Sequence, residues 1–290
     1  MKEVAIKNDA LLTALEVAQK GGSTEKLYRE LMTASGLPGT RANVSLANAL
    51  ADEFARRGQS MDALLTKMAS IHADEMPGGS PMEFIPMCGV LGWGARGASD
   101  TKVRREALSL LHEAADDLRF RVREAVILSL IRLGAVMGDV LVLEVEPWMD
   151  GFFHAANVLT ALSDPAWRNE THDAEPVIQR LREAAELIRH ATRSSMRYPG
   201  YKALLDALIK SPALLASRHG AGVLDEVQRW TTVGNVDLRE AATAAVRDEK
   251  TKARFLDNVN EIHKSRDAAV PAPRDGKKVD LPTRKRGKRR

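Results

Sequence analysis

Residues Asp117–Gly134 read DLRFRVREAVILSLIRLG. Val122, Val126, Ser129, Leu130 and Leu133 recur there at helical spacing. Ile127, Leu128 and Ile131 widen the stripe until most of the surface is apolar. A helix apolar on nearly all sides needs neighbours on nearly all sides. The spacing therefore predicts an inner helix flanked by similar helices. Asp117 suits its opening turn or N-cap, and Gly134 suits the residue just past its end.

The same reading extends in both directions. Amphipathic helices are expected over 8–19, 23–35, 41–57 and 60–74, which make two antiparallel hairpins. MPGGSP at 76–81 is the clearest break, since two prolines and two glycines cannot sit inside a helix. A helix over about 82–96 carries Gly89, Gly92 and Gly94, each costing ~1 kcal/mol relative to Ala. Glycines so spaced suggest close packing against a neighbour. Ser99 is expected to cap a helix over 101–115. Residues 138–146 have strand-like composition but a helical neighbourhood. Further helices are expected at 148–162, 176–192, 198–209, 213–218, 222–231, 235–247 and 251–264, with a polar loop at 163–175. The count is about fifteen helices with no clear strand.

Composition agrees. Aromatic residues make up only 4% of 290 residues, which favours helix-on-helix packing over a sandwich or barrel. The single cysteine, Cys88, excludes an intramolecular disulfide and a cysteine-based zinc site within one chain. It fits a reducing compartment, and a cytoplasmic location is expected. Charged residues interrupt the N-terminus where a signal peptide would be apolar. No stretch of about 18 apolar residues exists, so no membrane span is expected.

Charge divides unevenly. Residues 274–290 hold nine Lys or Arg against two Asp, a net of +7, which leaves −3 for residues 1–273 of a chain at +4. With Pro271, Pro273, Gly276 and Pro282 and little to bury, this tail is expected to be disordered. Lys277, Lys278, Arg284, Lys285, Arg286, Lys288, Arg289 and Arg290 are its candidate nucleic-acid contacts. Without aromatics beside them, binding would be sequence-tolerant, and the run could instead serve as a nuclear or nucleoid address or meet an acidic protein.

Self-comparison gives a repeated motif: Val103-Arg104-Arg105-Glu106-Ala107, Val122-Arg123-Glu124-Ala125 and Leu238-Arg239-Glu240-Ala241, each following an Asp or Asn. This resembles the second-helix signature of HEAT-type repeats, over roughly residues 84–247. The resemblance implies an all-α, right-handed superhelix of antiparallel helix pairs. It also implies an Asp that caps its helix or pairs with the Arg of a neighbouring unit. On this reading residues 1–75 are N-terminal hairpins, 82–265 continue the same superhelix and 266–290 are tail. Stacked hairpins share a core that one hairpin cannot make, and the curved surface holds a macromolecular partner. A non-catalytic scaffold for nucleic acid, or for a protein associated with it, is the leading expectation.

Enzyme signals are weak. The seven histidines, His72, His112, His154, His172, His190, His219 and His263, show no HExxH-like spacing, so no metal site and no cofactor are expected. No phosphate-loop or nucleophile-elbow motif occurs. The chain resembles HEAT-like alkylpurine DNA glycosylases in architecture, a family that uses an Asp and Trp residues on a concave face. No motif of theirs matches Trp148, Asp150 or Trp167, so no catalytic residue is carried over and the family stands as the alternative. Asp150 is expected to cap the next helix, with Trp148 a core or hinge aromatic.

Overall fold

In the computed structural model, which describes residues 9–269, Phe120–Met137 form one helix that is longer and less enclosed than the spacing predicts. The stripe Val122, Val126, Ser129, Leu130 and Leu133 is buried as expected, but Ile127, Leu128 and Ile131 are only half-buried. Phe120 and Val136 are exposed. Gly134 does not end the helix. It lies within it, where a Cβ would fall 2.0 Å from the Trp167 indole. The helix stops at Gly138, whose φ of 54° lies in the left-handed region glycine tolerates.

Sixteen α-helices and four short 3-10 segments, joined by turns and loops, make up the described residues, with no strand among them. They are α1 (Asp9–Gln19), α2 (Glu25–Ala34), α3 (Val44–Arg57), α4 (Asp62–Ala69), α5 (Phe84–Ser99), α6 (Arg104–Ala115), α7 (Phe120–Met137) and α8 (Asp139–Glu144). After these come α9 (Phe152–Leu162), α10 (Pro165–Arg168), α11 (Ala174–Arg189) and α12 (Pro199–His219). The last four are α13 (Gly222–Thr232), α14 (Val236–Ala245), α15 (Glu249–Arg254) and α16 (Leu256–Ala269). No helix among the described residues is long and apolar enough to cross a membrane.

The inner helix is α5. Every residue from Phe84 to Gly97 is buried, and α3, α4, α6 and α7 pack around it. Its glycines allow this. A Cβ on Gly89 would sit 2.5 Å from the Ala69 nitrogen, one on Gly92 2.5 Å from Leu65, and one on Gly94 2.2 Å from the Ser129 hydroxyl. The intrinsic helix penalty of each glycine is thus offset by backbone approach that no other residue permits. Packing then passes down the chain, from α7 to α9 and α10, from α9 to α11 and α12, and from α12 to α13 and α14, with α13 closing on α16. One continuous apolar core runs from Leu11 to Ile262.

Several local expectations are corrected. Within the polar segment 163–175, Pro165–Arg168 is helical, with Asp164 as its N-cap and Trp167 fully buried. The two helices expected over 198–209 and 213–218 are one, Pro199–His219, with Pro212 inside it and buried, as are Leu208, Leu215 and Ala216. Ser99 is the last residue of α5, its hydroxyl donating back to the Arg96 carbonyl, not the cap of α6. Residues 139–144 are helical, while 251–264 divide between α15 and α16 at Phe255.

Candidate functional site

The tail residues Lys277, Lys278, Arg284, Lys285, Arg286, Lys288, Arg289 and Arg290 lie outside the described residues. The motif arginines lie within them, and they form no carboxylate ladder. Arg104 Nε donates to the Gly97 carbonyl at 3.0 Å, Arg123 Nη1 to the Asp117 carbonyl, and Arg239 Nη1 to the Ala269 carbonyl at 3.4 Å. Arg123 also lies 4.0 Å above the Phe153 ring, and burial pushes its pKa down. Asp117 instead accepts from the Arg119 backbone and guanidinium, fixing the turn that starts α7. Arg119, only 5% exposed, donates onward to the Met76 and Ile71 carbonyls. Helix α7 gains a further cap from Glu83, whose buried carboxylate accepts from the Arg121 and Gly79 amides at 2.7 and 2.6 Å.

The C-terminal third is different. A groove of about 970 Å³ runs between the end of α12 and the α14–α15 junction. Ala213, Leu214, Ala245 and Phe255 give it an apolar lining, and Lys210, Arg247, Lys250 and Arg254 rim it. Among the described residues Lys210, Arg247 and Lys250 are exposed and make no ion pair. The one acid lining this groove, Asp248, caps α15 by accepting from the Thr251 amide. Burial would raise the Asp248 pKa, but that bond and its neighbours hold it below the usual value. Arg247 also lines a second groove of about 390 Å³ with Arg239 and Arg266. Helix α16 ends there, at the carbonyl of Ala269 that Arg239 holds.

A second constellation was not joined by sequence reasoning. His112 in the last turn of α6, Asp150 in the turn before α9, and His154 in the first turn of α9 converge. Asp150 does not cap α9, whose N-cap is Gly151 without a side-chain bond. Its carboxylate oxygens lie 3.2 Å from His112 Nε2 and 3.1 Å from His154 Nδ1. Neither nitrogen has an aligned hydrogen-bond partner, although both are shielded from solvent. The two imidazoles stack at 4.2 Å, 7° from parallel. Trp148 is buried, as expected of a core aromatic, and its ring meets both imidazoles edge-on. His154 Nε2 lies 3.0 Å from the His112 carbonyl, and Asn157 Nδ2 donates to the Ala115 carbonyl, so α9 caps the C-terminal end of α6. Next to it, Tyr198 donates to Asp116 at 2.8 Å, and burial together with that bond pushes its pKa up to about 12. The available sequence signal was the i, i+4 spacing of Asp150 and His154; His112 joins them only through the packing of α6 on α9.

Comparison with protein-family models, with curated proteins and with solved structures found no match.

Proposed function

We propose that the chain is a non-catalytic scaffold that binds nucleic acid through phosphate contacts at its C-terminal end. The observation that carries this reading is the groove between α12 and α15, where Lys210, Arg247 and Lys250 are exposed without ion-pair partners. Cations left unpaired at a concave surface favour a polyanion, and each phosphate contact releases counterions. The basic residues of 274–290, which lie outside the described residues, carry a net +7 in the sequence and are proposed to add electrostatic affinity for the same polyanion. With few aromatics available for base stacking, recognition is of backbone rather than sequence.

The finer architecture belongs to the same proposal. The helices are read as HEAT-like antiparallel pairs stacked into a right-handed superhelix. Support comes from the neighbour-to-neighbour packing and from the shared motif at Arg104, Arg123 and Arg239, each of which ties its helix to a main-chain carbonyl. A glycosylase-like alternative has no observation favouring it: Asp150 faces two imidazoles and is not among the residues that line the C-terminal groove.

The test is binding of the full chain and of a chain truncated after Pro273 to duplex DNA, over a range of salt. Truncation is expected to weaken binding and to flatten the slope of log K against log salt, with residual salt-dependent binding from the groove. Equal binding by the two chains would refute the tail's role. Capture of an acidic protein but no DNA would refute the nucleic-acid reading.

A further inference from the structure

The geometry points to a divalent metal site of the zinc class, formed by His112 Nε2, His154 Nδ1 and one carboxylate oxygen of Asp150. All three donor atoms lie within 4.8 Å of one another. Nothing in the nucleic-acid reading requires this site, and it stands on its own observations.

The first observation is tautomeric. His154 Nε2 lies 3.0 Å from the His112 carbonyl, which can only accept, so the proton sits on Nε2. The Nδ1 lone pair is then on the side of the Asp150 carboxylate, 3.1 Å away though not in line with it. Two acceptors at that separation repel unless a cation lies between them. The backbone bond on the far nitrogen is also the arrangement that orients metal-binding imidazoles.

The second observation is the pairing of the rings. A proton on each facing nitrogen would also answer the carboxylate: His112 can carry its proton on Nε2 and stay neutral, but His154, with Nε2 already protonated, would become a cation stacked at 4.2 Å on the other ring. Neither His112 Nε2 nor His154 Nδ1 has an aligned hydrogen bond to Asp150, though both are near it. One shared cation satisfies both nitrogens and the carboxylate together.

The third is metric. Nitrogen and oxygen donors bind zinc at about 2.0–2.1 Å in tetrahedral array, which separates neighbouring donors by roughly 3.3–3.4 Å. His112 Nε2 lies 3.2 Å from Asp150 Oδ2 and His154 Nδ1 lies 3.1 Å from Asp150 Oδ1, so each nitrogen is near that spacing from one of the two oxygens, and a single oxygen shared by both nitrogens keeps all three donors within 4.8 Å. Two imidazoles with one carboxylate form a donor set used by zinc sites with three protein ligands. A fourth ligand would come from solvent on the side where Asp150 is half exposed. Trp148, edge-on to both imidazoles, supplies the apolar wall that fixes their orientation.

The experiment is calorimetric titration of Zn²⁺ into the chelator-treated full chain. Wild type is expected to bind one equivalent, with a zinc-dependent rise in melting temperature. Asp150→Asn and His112→Gln are each expected to weaken binding by about 100-fold or more, as loss of a direct ligand should at least match loss of an outer partner. Asp150 is exposed enough for its variant to keep the fold, which circular dichroism checks. His190→Gln is the control, since exposed His190 lies 3.2 Å from Glu186 and against Arg189, with no second imidazole beside it. It should bind as wild type does. Absence of one-equivalent binding by wild type, or wild-type affinity in either the Asp150 or the His112 variant, would overturn the site.

Discussion

Basic side chains do two different jobs at the two ends of this molecule. Around α3–α7 every guanidinium that reaches inward is tied down. Arg96, 2% exposed, bonds Asp62 at 2.8 Å, and that bond raises its pKa despite burial. Arg132 joins Asp52 and Asn48, Arg121 joins Glu124 and the Thr40 carbonyl, and Arg119 closes the loop before α5 onto the start of α7. Around α12–α15, Lys210, Arg247 and Lys250 have no such partner and face a groove. The difference teaches that the residue type alone says little. A buried cation must be paired or its desolvation is uncompensated, whereas an exposed one is free to meet something else.

The strongest way to break this contrast is to unpair an inner arginine. Asp62→Ala leaves the Arg96 guanidinium buried, with only Asp100 at 3.6 Å to answer it. Stability to urea is expected to fall by about 3 kcal/mol. A loss below about 0.5 kcal/mol, as at an ordinary surface site, would mean that the inner arginines are not structural staples.

A smaller effect sharpens the comparison at the C-terminal end. His219, at the end of α12, contacts the Thr171 hydroxyl at 3.0 Å. Burial, with Arg218 beside it, pushes its pKa below the usual 6.5. The folded state therefore binds fewer protons than the unfolded chain just below pH 6.5. Its stability contribution is whole above pH 6.5 and declines as pH falls towards the folded-state pKa. His219→Gln should flatten that decline in a pH series of thermal melts. An unchanged profile would show that this end tolerates a buried cation after all.

Much of the helical content was legible because the 3.6-residue period is strong. The stripe of Asp117–Gly134 and the close packing of the α5 glycines both follow from local rules. What was not legible depended on partners distant in sequence. Gly134 looked like a stop because nothing local reveals that Trp167 fills the space where its side chain would be. The motif arginines looked like ladder rungs because their real acceptors are main-chain carbonyls, which have no sequence signature. The groove needed α12 continuous through Pro212 to bring Lys210 opposite Arg247. The His112, Asp150 and His154 cluster spans 42 positions and is assembled by helix packing alone.

The most direct measurement is the salt dependence of duplex-DNA binding by the chain with Lys210, Arg247 and Lys250 all changed to Gln, beside its melting temperature. Exposed and unpaired, these side chains should leave the melting temperature unchanged, while the slope of log K against log salt shrinks by about 0.9 for each phosphate no longer neutralised. A slope equal to that of the unaltered chain, or a fold that melts earlier, would contradict the assignment of these cations to a partner rather than to the protein itself.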